Sequence, residues 1–174
     1  MSLIVGDHLR EFVNNSIHQT VDKLPIDIEY DGILTHMSDE IFVESTPPII
    51  EGSIRTDALI DLSYVKDTQA VTNMHSTVIH NTQGCFRLKP QEFIITKITE
   101  YIELPNDIYG MFTIRSKYAR NGLEQSASLM LKPNWEGNLI LELRNVLRYH
   151  DIHISRYAPI GQIQFFKVYD AKGA

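Results

Sequence analysis

"IYGMFTIRSKYARNGL", residues Ile108–Leu123, is an alternating apolar strand that ends in a cluster of positive charge. Arg115, Lys117 and Arg120 crowd together with Ser116 and Gly122, and no acid lies between Asp107 and Glu124. Ser116 is placed to cap a short turn of helix running to Arg120, which Gly122 would close. Exposed amides at a helix start favour anions, and flanking guanidinium groups add charge-assisted hydrogen bonds. Two readings stay open at this point: a phosphate cradle, or a solvated basic turn.

Outward from this stretch the chain reads as β structure. Before it come "PIDIEY", with Ile26 and Ile28 on one face and Asp27 and Glu29 on the other, then "SIRTDALIDLSYV" and "GCFRLKPQEFIITKITEYIELP". After it come "SASLMLKP", "GNLILELRN", "DIHISRY" and "IGQIQFFKV", separated by the Pro, Gly and Asn of "PNWEGN" and "YAPIGQ". "LPNDIYG" is a turn. Many short strands at nearly even spacing predict a sandwich or barrel. The exception is "GDHLREFVNNSIHQTV", where Leu9, Phe12, Val13 and Ile17 fall at near-helical spacing behind Asp7 as N-cap, predicting one short N-terminal helix. Residues 35–81 mix polar clusters with weak alternation and suit loops or edge strands.

The composition bounds the function. A chain of 174 residues, 43% hydrophobic and 22% charged, is expected to form one globular domain over residues 1–174. No apolar run approaches the roughly 20 residues of a membrane helix. The N-terminus lacks the pattern of a secretion signal, and the single Cys85 fits a reducing, cytoplasmic setting. One cysteine cannot supply the Cys pair of a zinc nucleobase deaminase. His150 and His153, three apart on a strand, point to opposite faces, so no protein-bound metal is expected. The net charge of -6 argues against nucleic acid as a partner. A small polyanion needs only a local positive pocket.

A second feature is Glu142 in "PNWEGNLILELRN". Leu139, Leu141 and Leu143 share one face of that strand, and Ile140, Glu142 and Arg144 the other. A carboxylate on so apolar a strand is costly unless it is paired, here in the neighbourhood of Arg144, or functional. The third feature is the tail "GQIQFFKVYDAKGA", from which Lys167, Tyr169 and Lys172 reach outward.

In order and spacing these features resemble the dCTP deaminase family of the dUTPase-like superfamily. The anchors are R-S-x-x-A-R-x-G-L from Arg115, P-x-W-x-G-x-x-x-L-E-x-x-N from Pro133, and P-x-G-Q-I-x-F from Pro159. The resemblance covers about Leu104 to Val168, with a weaker echo at "LPIDIEY". It implies a mainly β, distorted β-barrel or jelly-roll-like dUTPase-type fold, with a short N-terminal helix and one short helix after Arg115. It implies zinc-free deamination of dCTP to dUTP and ammonia, with Glu142, Ser116 and Arg120 as catalytic residues. Arg115, Ser116, Lys117 and Arg120 would handle phosphate and water. Ala127, Ser128, Lys132, Ile140, Leu141 and Glu142 would contact base and sugar, and Tyr169 and Lys172 would belong to a C-terminal lid. The implied partners are a dCTP- or dUTP-type nucleotide and two further copies in a homotrimer, without nucleic acid or membrane. Magnesium would accompany the triphosphate rather than sit in a protein cage.

The sequence also departs from the family pattern. Lys117 replaces a common second serine, and the stretch from Arg120 to Trp135 is about one residue short. Met130 stands near a usual arginine, Asn134 replaces a common glycine, and Lys132 replaces an aspartate that faces the deoxyribose. A dUTPase-type pyrophosphatase would want that aspartate to orient its water, so it ranks below the deaminase. A non-catalytic nucleotide-binding paralogue is the other alternative.

Overall fold

The computed structural model describes residues 1–44, 76–82, 84–127 and 129–169. In chain order the elements are β1 (Ser2–Leu3), α1 (Gly6–Ser16), β2 (Ile17–Gln19), β3 (Asp27–Ile28), β4 (Ile33–His36), β5 (Glu40–Glu44) and β6 (Ser76–His80). There follow β7 (Cys85–Leu88), β8 (Phe93–Glu103), β9 (Ile108–Ile114), α2 (Ser116–Ala119), β10 (Leu123–Gln125) and β11 (Met130–Leu131). The last three are β12 (Glu136–Asn145), β13 (Ile152–Ser155) and β14 (Pro159–Lys167). The expected strand "SIRTDALIDLSYV" lies outside the described residues.

Among the described residues, two six-stranded antiparallel sheets carry the fold. The first has the order β11-β9-β14-β4-β3, with β1 also on β14; the second has β10-β12-β8-β5-β6, with β2 also on β8. β7 and β13 form a separate two-stranded ribbon. The expected barrel or jelly-roll-like closure is therefore corrected: among the described residues β11 does not pair with β3, nor β10 with β6, so both sheets are open. A barrel needs its first and last strands to share a hydrogen-bonded ladder. Here the chain instead leaves one sheet for the other, through α2 after β9 and through the Met37–Ile98 bridge after β4.

The alternation that predicts the strands also fills the space between the sheets. Ile33, Phe112, Ile163 and Phe165 from the first sheet meet Ile41, Ile94, Ile98, Ile102, Leu139, Leu141 and Leu143 from the second in one buried cluster. α1 lays Leu9 and Val13 on this core and sets Phe12 edge-on to Phe165, with ring centroids 4.8 Å apart. The helix is shorter than expected, because Ile17 becomes extended and starts β2. Its N-cap is Val5 without a side-chain cap, and Asp7 sits in the first turn. Among the described residues no helix is long and apolar enough to cross a membrane.

Gly161 marks where the sheet cannot accept a side chain. A Cβ there would lie 2.1 Å from Cε2 of Phe112, so the glycine lets the Phe112 ring seal the core over β14.

Candidate active site

The basic turn forms at the crossing between sheets. β9 ends at Ile114, and the Arg115 amide donates to the Ile160 carbonyl of β14 at 3.0 Å, which pins the exit of the strand. Arg115, not Ser116, is the N-cap of α2, and it makes no side-chain cap. Ser116 is instead the first helical residue, its carbonyl accepting from the Arg120 amide at 2.9 Å. Ser116, Lys117 and Arg120 are exposed, while Arg115 is half-buried. Tyr118 packs against the core beneath them, with the Lys117 ammonium 5.0 Å from its ring centre. Burial pushes the Tyr118 phenol upward, and the Arg115 guanidinium opposes that rise.

Gly122 closes the turn. Its φ is +87°, and a Cβ would stand 2.4 Å from Cγ of Leu147. The Val146 amide donates to the Gly122 carbonyl at 2.9 Å, so this glycine docks the turn onto the end of β12. Gly122→Ala should therefore cost about 2 to 3 kcal/mol, from left-handed backbone strain plus overlap with Leu147. Chemical denaturation of the full chain reads this directly, and an unchanged midpoint would refute it.

From Gly122 the chain enters β10, which pairs antiparallel with β12 in the register Leu123↔Asn145, Glu124↔Arg144 and Gln125↔Leu143. The next amide, Ser126, donates to the Glu142 carbonyl at 2.8 Å. On β12 the inward row of Leu139, Leu141 and Leu143 is buried, as alternation predicts. Ile140 and Glu142 are half-buried on the opposite face. Glu142 does not pair with Arg144, whose guanidinium donates to Gln91 Oε1 at 2.7 Å. Its partner is Gln125, whose Nε2 donates to Glu142 Oε2 at 2.9 Å. Sequence reasoning missed Gln125, because the register that brings β10 to Glu142 has no signature in a three-residue strand.

The other expected site residues are dispersed. Leu141 turns its side chain into the core, with 0% exposure. Ala127 is exposed, and Ser128 and Lys172 lie outside the described residues. Lys132 is exposed beside a cavity of about 570 Å³ lined by Tyr101, Pro133, Asn134, Trp135 and Glu136. The Lys132–Trp135 turn is closed by the Trp135 amide on the Lys132 carbonyl at 3.1 Å, and Asn134 takes φ +62° within it. Asparagine tolerates that conformation, which explains how it can stand where the family commonly has glycine. Tyr169 is exposed and accepts from Ser2 Oγ at 3.1 Å, at the rim of a second cavity of about 570 Å³ between α1 and the end of β14. Glu142 lines neither cavity. Among the described residues it makes no hydrogen bond to Arg115, Ser116 or Arg120 of its own chain. No group of three or more His, Cys, Asp or Glu among them is placed to hold a metal ion.

Residues 51–168, which include the basic turn, β10 and β12, match the family model described as dCTP deaminase-like. The chain belongs to the dCTP deaminase-like family. It is 37% identical over 75 residues to the dCTP deaminase of Pyrococcus abyssi, covering 40% of this chain and 48% of that one. Against the dCTP deaminase of Anaplasma marginale it is 28% identical over 121 residues, covering 63% and 60%. The chain thus spans about half the length of the curated relatives it matches. The 2'-deoxycytidine 5'-triphosphate deaminase of Agrobacterium tumefaciens superposes with a TM-score of 0.68 at 15% identity, over 94% of this chain and 46% of that one. That likeness concerns the fold alone.

Proposed function

We propose that this protein hydrolyses dCTP to dUTP and ammonia, with Glu142 moving the protons. The observation that carries the reading is the place of Glu142: a half-buried carboxylate on the outer face of β12, held by Gln125, within the segment that defines the family. Deamination at C4 of cytosine adds water and expels ammonia. A carboxylate takes the proton of the attacking water, delivers it to N3, and later passes a proton to the departing nitrogen. Ser116 holds the water, Arg120 steadies the developing charge, and Arg115 with Lys117 grips the triphosphate, whose magnesium arrives as part of the substrate.

Assembly completes this site. Within one chain Glu142 and the basic turn make no hydrogen bond to each other, and neither cavity beside α1 or Lys132 includes the carboxylate. A homotrimer, with each site built between two copies, supplies the missing wall. Lys132 cannot accept a proton from an attacking water as a carboxylate does, which keeps pyrophosphate cleavage the weaker reading.

The test is incubation of the purified chain with magnesium and dCTP, then with dUTP, resolving the products by chromatography. The expected result is dUTP from dCTP and no change in dUTP. Formation of dUMP and pyrophosphate would replace the deaminase by a pyrophosphatase. If neither nucleotide changes but both bind, the chain is a non-catalytic nucleotide-binding paralogue.

A further inference from the structure

Among the described residues, Gln125 is tied to Glu142 at one end of its amide and to nothing at the other. An ionised carboxylate only accepts hydrogen bonds, so the amide must turn its nitrogen toward Glu142, as the 2.9 Å contact has it. That choice fixes the position of Gln125 Oε1, which is buried and has no hydrogen-bond partner among the described residues. A buried carbonyl oxygen left unpaired forfeits free energy that a donor would restore. The arrangement is also held in place: the Ser126 amide on the Glu142 carbonyl locks the register of β10 and β12, and Gly122 docks the start of β10 onto Leu147.

We propose that Gln125 reads the base: its Nε2 holds the carboxylate of Glu142, and its Oε1 accepts a hydrogen bond from the exocyclic amine of an aminopyrimidine nucleotide. This rests on the proposed role of Glu142. The orphaned atom is an acceptor, so the ligand group that satisfies it must be a donor. A 4-aminopyrimidine offers an N–H at that edge. A 4-oxopyrimidine offers another acceptor, which would set two carbonyl oxygens against each other. The same amide therefore favours the amino substrate and disfavours the oxo product.

Gln125 also decides which carboxylate oxygen works. With its Oε2 engaged by the amide N–H, Glu142 carries the transferred proton on Oε1. In the proposed reaction a water oxygen bonds to C4 and the C4–N bond breaks. The water proton passes through Glu142 to the ring nitrogen, and the amine leaves as ammonia after a further proton transfer. Gln125 gains and loses no proton. When the amine has gone, Oε1 faces an oxo group and is again unpaired, which favours product release.

Two substitutions test this on the full chain with magnesium. Gln125→Met keeps the length and removes both polar ends. It should lower kcat/KM for dCTP by roughly 10- to 100-fold, in line with the loss of a substrate-reading hydrogen bond. Inhibition by dUTP should stay as strong or strengthen, so the preference for cytosine over uracil collapses. Gln125→Glu places a second carboxylate against Glu142, and two carboxylates at that distance share a proton. The acid limb of its kcat profile should move to higher pH. A merely structural role would weaken dCTP turnover and dUTP inhibition by the same factor and leave the pH profile in place, and that result would overturn the assignment. If the wild-type chain deaminates dCTP and both variants match it, only the role of Gln125 fails. If the wild-type chain leaves dCTP unchanged, the role of Glu142 fails first and that of Gln125 with it.

Discussion

Glu142→Gln should lower dCTP turnover by about 10²- to 10⁴-fold, the usual contribution of a general acid–base group, with little change in KM or in stability. The amide has nearly the volume of the carboxylate, and its oxygen can still accept from Gln125 Nε2, so the 2.9 Å contact survives. The buried row of Leu139, Leu141 and Leu143 behind it is untouched. What is lost is the capacity to take a proton from water and hand it on. In the proposed reaction both steps pass through the same group, so the effect falls on kcat rather than on ground-state binding. Turnover within about tenfold of wild type would show that another group moves the protons. A large fall in stability would make the kinetic loss uninformative, and thermal denaturation of the variant checks that point.

The strands were legible where one face is apolar and the other is not. On β12 the odd-numbered leucines alternate with Ile140, Glu142 and Arg144, and the structure buries the first set and leaves the second outside. The closure of the sheets was not legible, because alternation shows which face of a strand is buried but not which strand lies beside it. β14 carries β4 along Pro159–Ile163 and β1 at Phe166–Lys167, two short strands end to end on one edge. β8 does the same with β5 and β2. Pairings of this kind depend on contacts distant in sequence, and among the described residues they yield two open sheets in place of the expected barrel. The basic turn and Glu142 stood out as charges at unusual places, whereas Gln125 is an ordinary polar residue until register puts it beside Glu142. One signal was present and unused. Ile94, Thr96, Ile98, Glu100 and Ile102 share one face of β8, and all five have 0% exposure. A carboxylate in that row must have a partner.

That partner is His36, and its removal carries the largest expected loss of stability. His36 Nδ1 lies 2.7 Å from Glu100 Oε1, and Nε2 lies 3.1 Å from Asp27 Oδ2. The His36 amide donates to Glu100 Oε2 at 3.0 Å, and Gln19 Nε2 donates to Glu100 Oε1 at 3.1 Å. The group links β3 and β4 of one sheet to β2 and β8 of the other. Burial alone would lower the pKa of His36, but the hydrogen bond and charge of Glu100, followed by those of Asp27, outweigh it and raise the pKa above 6.5. His36→Leu strands a fully buried carboxylate and should cost about 3–5 kcal/mol. His36→Leu with Glu100→Leu should recover only part of that, since the His36 amide then loses its acceptor. The sign with pH follows from the raised pKa. The folded chain holds the imidazolium proton more tightly than the unfolded chain does, so this contribution is complete below pH 6.5 and is lost as pH rises through the folded pKa. The stability gap between wild type and His36→Leu should therefore be wider at about pH 6 than at about pH 9. Urea denaturation of both proteins at the two pH values measures it. A gap that is constant or that widens with pH would mean that His36 is neutral in the fold, holding Glu100 through an Nδ1–H hydrogen bond without the charge.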